Sequence, residues 1–268
     1  MPAAIKAAKA HQVTKAAPAA KAAKAAKAIE PVEATEAAQA STDHRPRVAA
    51  ERRERMRKRL VESALIVFAQ KGVGASVIPE VVAAAEVSQG SFYNYFRTNE
   101  ELLAAVSEEL SNEMLQLIEG VVGAIADPGL RVATAIRCYL QLARGNRLAA
   151  RFLASAGMRV GGEHSMVYDV LPPDLEEGAR LGQFDAAALP VAVDVIKGAV
   201  LVAMYRMAHG RIVRDYPEQM VRAMLRSLGM STADAVRLTA APLPRLAISA
   251  ESLLARVQAR AAVKAADS

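Results

Sequence analysis

Aromatic side chains make up only 4% of this chain, with no Trp, 6 Tyr and 5 Phe. A single cysteine, Cys138, excludes an intramolecular disulfide and a cysteine-based zinc site, and it fits a reducing compartment. Few segments alternate apolar with polar residues, so strands are not expected and the reading is all-α. Long apolar runs are also missing. The longest, GAVLVAMY at 198–205, lies between Lys197 and Arg206 and is too short to span a bilayer. Residues 1–29 lack the apolar segment of a secretory signal, and the expected location is cytoplasmic, on the nucleoid. There is no G-x-S-x-G, phosphate loop, H-E-x-x-H or paired-carboxylate arrangement. An enzymatic role therefore has no support, and neither a cofactor nor a metal is expected.

What is present is unevenly distributed. Hydrophobic residues make up 53% of the 268, much of it Ala, and the formal net charge is +6. Residues 1–59 hold fourteen Lys and Arg against six acids, whereas the remainder has twenty against twenty-two. The excess positive charge at one end points to a polyanionic partner there. Residues 1–44 are low-complexity and rich in Lys and Ala, with almost no bulky apolar residue, so a disordered tail is expected. Its two readings are a solvated tail and a sequence-indifferent nucleic-acid contact.

Helical periodicity begins near Arg47. Met56, Leu60, Ala64, Val67 and Phe68 recur at three- and four-residue steps until Gly72. Ser76 then fits an N-cap for a helix over 77–86, with Pro79 in its first turn. Ser88 caps a short third helix over 89–96, and Thr98 or Asn99 caps a long one that Asp127-Pro128-Gly129 stops. Further helices are expected near 129–144, 147–160, 164–171, 173–180, 186–210 and 215–229. Residues 231–268 read as a loosely structured tail.

A helix, a tight turn and a second short helix have the spacing of a helix-turn-helix. In EVSQGSFYNYFR (86–97), Val87, Phe92 and Phe96 share one face. Gln89, Ser91, Tyr93, Asn94 and Tyr95 are left pointing elsewhere. Gln and Asn pair with adenine, Ser bonds to bases or phosphates, and Tyr hydroxyls reach phosphate oxygens. Gly90 lets a phosphate approach the backbone closely.

Residues 57–106 resemble the DNA-binding domain of the tetracycline-repressor (TetR) family. The resemblance rests on RLVESALIVFAQKG (59–72), Ser76 and VVAAAEVSQGSFYNYFRTNEELLAAV (81–106). It implies a three-helix DNA-binding domain over 45–106 joined to a helical regulatory and dimerisation domain over 107–230. It also implies that Gln89, Ser91, Tyr93 and Tyr95 contact DNA, and that Thr98 and Asn99 touch the backbone. Ser76, Ser88, Gly90 and Asn94 complete the candidate surface. Three positions depart from the family pattern: Glu86 replaces the usual turn Gly, Asn99 a common Lys, and Tyr95 a common His. The resulting weak phosphate attraction is expected to be made up by a basic arm before the domain, including Arg52 and Arg53, lying extended along a minor groove.

By family layout, residues 189–210 and 215–229 pair in a homodimer, with Gly198, Ala199 and Ala203 allowing close approach. The partners expected are a palindromic double-stranded DNA operator and a small effector, with repression the family's usual sense of control. The effector is expected to be apolar, in a pocket formed by Tyr139, Phe152, Met158, Met166, Tyr168 and Met204, with Phe184 and Met207 as further candidates. His164 with Glu163 and Asp169 lacks metal-ligand spacing. Cys138 reads as an inert core residue. An architectural DNA-coating protein dominated by its basic tail is the alternative function.

Overall fold

The computed structural model describes residues 33–74, 76–157 and 165–266. The Lys-rich repeats before residue 33, Met158, Glu163 and His164 therefore lie outside the described residues. The chain divides into two compact units, 1–49 and 50–268; of the first, only helix from Glu33 onward is described. Helix α1 spans Glu33–Lys71, α2 Ile78–Ala85, α3 Gln89–Tyr93 and α4 Asn99–Val122. They are followed by α5 Pro128–Gly145, α6 Arg147–Ala156, α7 Val167–Arg180 and α8 Leu189–His209. The last three are α9 Tyr216–Ser227, α10 Thr232–Ala240 and α11 Leu253–Ala266. No strand occurs among the described residues.

Side-chain caps set most helix starts. Thr98 Oγ1 accepts from the Glu101 amide at 3.0 Å and Asp127 Oδ1 from the Leu130 amide at 2.7 Å. Asn146 and Ser231 do the same for Ala149 and Asp234. Each bond satisfies an amide that the first helical turn would otherwise leave unpaired.

Five expectations need correction. Residues 33–44, assigned to a disordered tail, are helical, since Ala, Glu and Gln carry high helix propensity. The basic arm is not extended: Arg52, Arg53, Arg55 and Arg57 lie within α1. Ser76 is not the N-cap of α2; Val77 holds that place without a side-chain bond. Pro172 and Pro173 do not separate two helices but lie inside α7, held by its buried face of Leu171, Leu175 and Gly178.

The fifth correction concerns the C-terminal stretch. Residues 242–249 run without regular structure as a strap, and α11 then docks through buried Leu253, Leu254 and Val257. The Glu113 carboxylate accepts the Leu253 and Leu254 amides at 2.5 and 2.9 Å, a capping contact supplied by a distant helix. Arg256 and Arg260 both pair with Glu62 of α1, at 3.1 and 3.2 Å. Arg260 also donates to the Ala84 carbonyl at the end of α2, at 2.9 Å. An Ala- and Arg-rich composition hides these three buried apolar side chains.

Phe68 of α1 meets Phe152 of α6 with ring centroids 6.0 Å apart. Together with α11, this contact joins the three-helix head (α1–α3) to the body. In the body, α5 is central, packing on α4, α7, α8, α9 and α10, while α6 lies mainly against α8.

Candidate nucleic-acid interface and ligand cavity

The head is organised by two rings. Phe92 is fully buried and Phe96 nearly so, their centroids 6.0 Å apart. Their burial turns the remaining side chains of α3 outward. Ser88, Gln89, Gly90, Tyr93 and Asn94 are exposed, as is Thr98 at the start of α4. Tyr93 stands edge-on to Phe92 and is 47% exposed. Ser91 and Asn99 are half-buried, and Ser76 is exposed ahead of α2.

The hydroxyls are already engaged. Ser88 Oγ caps α3 by accepting from the Ser91 amide at 3.1 Å, and the two serine hydroxyls are 2.9 Å apart. Tyr95 is less free than expected. It is half-buried against the core, and the Arg53 guanidinium lies over its ring at 5.9 Å.

The turn before α3 carries the strain that Glu86 implies. Its φ of 52° is the one positive value at a non-glycine among the described residues, a conformation costing about 1 kcal/mol. Arg59 pairs with the Glu86 carboxylate at 2.7 Å, so the negative charge at the edge of the reading surface is locally balanced. Gly90 shows the opposite pattern. A Cβ there would meet nothing nearer than Ser88 Oγ at 4.0 Å, so the protein's own packing does not demand glycine.

Carboxylates and carbonyls hold several of the arm's cations. Arg57 pairs with Glu109 at 2.8 Å and its guanidinium lies over Phe96. Arg55 Nε donates to the Glu51 carbonyl, and Lys58 lies 3.8 Å from Glu54. Arg52 and Arg53 are exposed and have no carboxylate partner among the described residues.

Within the body, α4, α5, α7 and α8 surround an apolar cavity of about 120 Å³. Ile118, Ile136, Val170, Leu171, Val200 and Met204 supply much of its wall. Ser111, Glu119, Tyr139, Ser165, Asp174 and Lys197 supply polar points. Tyr139 and Ser111 both line the cavity; burial pushes the Tyr139 phenol above its usual pKa, and the Ser111 hydroxyl acts against the shift. Burial likewise raises the Asp174 carboxyl despite Arg131, which pairs with it at 2.7 Å.

Of the candidate pocket residues, Tyr139 and Met204 line this cavity. Phe152 does not; it is fully buried against Phe68. Met166 sits at the start of α7, donating its amide to Asn112. Tyr168 lies outside, 39% exposed, with the Lys197 ammonium over its ring. Phe184 packs on Gly178, where a Cβ would come within 2.4 Å of the ring. Sequence reasoning missed Ser111, Asp174 and Lys197. The rows Leu115–Ile118–Val122 and Val132–Ile136–Tyr139 mark inward faces at helical spacing, but spacing alone does not say which faces meet across a gap.

Comparison with known proteins finds family matches to both regions of the chain. Residues 60–106 match the family model described as bacterial regulatory proteins, tetR family. Residues 127–240 match a tetracyclin repressor-like C-terminal domain. The HTH-type transcriptional repressor DhaR of Mycobacterium sp. (strain GP1) is 33% identical over 76 residues, 28% of this chain and 38% of the relative. The match thus spans well under half of that protein. Among solved structures, RolR in complex with resorcinol is 28% identical, covers 74% of this chain and all of its own, and has a TM-score of 0.57. A regulator from Shewanella sp. PV-4, 18% identical with a TM-score of 0.54 over 69% of this chain and 95% of its own, shares the fold.

Proposed function

The chain belongs to the TetR family of bacterial regulatory proteins, and we propose that it is a dimeric transcriptional repressor released from its operator by a small hydroxylated aromatic molecule. The outward row of Gln89, Ser91, Tyr93 and Asn94 supports the DNA-reading half of this proposal. These side chains are carried on a short helix whose opposite face is core. Arg52, Arg53 and the Lys-rich residues 1–44 add sequence-indifferent attraction to phosphates. Action on chromosomal DNA places the protein in the cytoplasm.

The observation that carries the ligand half is the cavity. At about 120 Å³ it is close to the roughly 150 Å³ that accommodates benzene in an engineered apolar site, so it suits one ring. Tyr139 and Ser111, both on the lining, give a ligand hydroxyl partners on a largely apolar wall. RolR, similar over its whole length, was crystallised with resorcinol, which is such a molecule.

The exposed apolar face of α8 supports the dimeric part of the proposal. Val191, Val195, Val202 and Tyr205 are between 39% and 56% exposed, and Gly198 lies in the same row with open space before it. Their alternating four- and three-residue steps form one stripe. Residues 186–209 are long and apolar enough to cross a membrane, with mean hydropathy 1.9. Asp194 and Lys197 within that span favour a second copy as the cover instead. Ala203, expected at the dimer contact, is fully buried in the protomer's own core.

The test begins with operator selection from randomised DNA, followed by titration of the complex with resorcinol. Binding to one palindrome, and its loss as resorcinol is added, is the expected outcome. Failure to enrich any palindrome overturns the repressor reading. Enrichment without release by resorcinol overturns the ligand assignment alone.

A further inference from the structure

A second polar feature lies on the other side of α5, away from the apolar cavity. Arg137 is only 8% exposed. Its Nη1 donates to the Ala241 carbonyl at 2.7 Å, whereas its Nε is buried with no acceptor among the described residues. A buried guanidinium stays charged and needs a counter-ion. Glu218 is near enough to favour its charge but forms no ion pair with it among the described residues, and Arg222 acts against it.

Arg137 lines a hollow of about 470 Å³ together with Gln141, Arg144, Glu218 and Leu243. Arg144 also walls an adjoining hollow of about 280 Å³, shared with Arg147, Arg151 and Arg214 over apolar Ala150, Met207 and Ile212. These four arginines are exposed, and none is paired with a carboxylate among the described residues. Arg144 suits the carboxyl end of α5, but Arg147 stands in the first turn of α6, where the helix dipole disfavours a cation. Helix electrostatics therefore do not account for the cluster. Five guanidiniums line these two hollows, which share Arg144, and Glu218 is the one carboxylate residue on their described lining.

We propose that these hollows form an oxyanion site, separate from the apolar cavity, that takes a small organic acid through its carboxylate or phosphate group. Arg137 and Arg144 receive the oxygens, since a planar guanidinium fork matches either group, and Gln141 adds a neutral amide donor. Arg147, Arg151 and Arg214 concentrate anions at the mouth, while Ala150, Met207 and Ile212 accept the carbon part. The site abuts the C-terminal strap, because Arg137 holds the Ala241 carbonyl and Leu243 is part of the wall.

The test is thermal unfolding of the full chain with inorganic phosphate or glutarate, each against chloride at matched ionic strength. At least one anion is expected to raise the midpoint saturably above the chloride control. Arg144→Gln, at an exposed position, is expected to leave the anion-free midpoint in place and weaken the response about tenfold, the loss of one charge-assisted contact. Arg137→Gln should abolish the response; if that variant does not fold, Arg144→Gln decides. A response to phosphate alone identifies a phosphorylated ligand, and one to glutarate alone a carboxylic acid. The proposal is overturned if neither anion exceeds chloride, or if Arg144→Gln responds as the parent chain does, since anion exclusion from the surface would then explain the shift.

Discussion

The head and the body handle polar side chains in opposite ways. In the head, Phe92 and Phe96 fill the interior, and Tyr93 and Asn94 between them face water. The body turns polar groups inward: Ser111, Tyr139 and Asp174 line the cavity, the last paired with Arg131. On the function proposed above, one region acts through its exterior and the other through a gap in its packing. Substitutions should therefore separate stability from binding in the head and mix them in the body, where groups that line the cavity, such as Asp174 with Arg131, also take part in the packing around it.

The sharpest test of that contrast is a pair of adjacent rings. Phe92→Ala is expected to cost about 3–5 kcal/mol of unfolding free energy, measured by denaturant titration. Tyr93→Ala should cost only about 1 kcal/mol, the edge-on ring contact, while weakening operator binding about tenfold in an anisotropy titration. If Tyr93→Ala binds as the parent does, the head's exterior is not the reader.

In the body, Tyr139→Phe removes one of the hydroxyls that line the cavity. Resorcinol affinity by calorimetry should fall about tenfold, and stability should drop by about 1 kcal/mol in the same variant. Loss of ligand affinity at unchanged stability would break the comparison.

Two smaller effects sharpen the picture at the turn. Glu86→Gly relieves the left-handed strain and should add about 1 kcal/mol to stability, while also strengthening DNA binding by removing a negative charge. Gly90→Ala should move the two readouts in opposite directions. The fold gains up to about 1 kcal/mol of helix propensity, since a Cβ fits, but operator binding weakens if a phosphate lies against that backbone.

The same contrast explains what could be read in advance. The reading surface is contiguous, so the order of residues 86–97 displays both its buried and its outward face. Ser88 and Thr98 announced their helices because an N-cap bonds to an amide only three residues away. The cavity was legible only in part, since it is where four helices fail to touch; Phe152 and Met166 have the right chemistry in the wrong place. The arm misled for another reason. Its arginines look available in sequence, yet Arg57 and Arg59 are taken by Glu109 and Glu86, 52 and 27 residues away. Nothing local marks α11 as packed, because Glu62, Ala84 and Glu113, which hold it, come from three other helices.

That last attachment also has a consequence in time. Synthesis proceeds from the N-terminus, so the segments of the head emerge first, and the Arg260–Glu62 contact closes a span of 198 residues. Until residue 260 has cleared the ribosome, the head lacks its clamp to the body, and long-range closures of this kind come late in folding. A chain interrupted within the strap would carry the α1–α3 head with no fastening from α11, so this tie between head and body is made only once α11 has emerged.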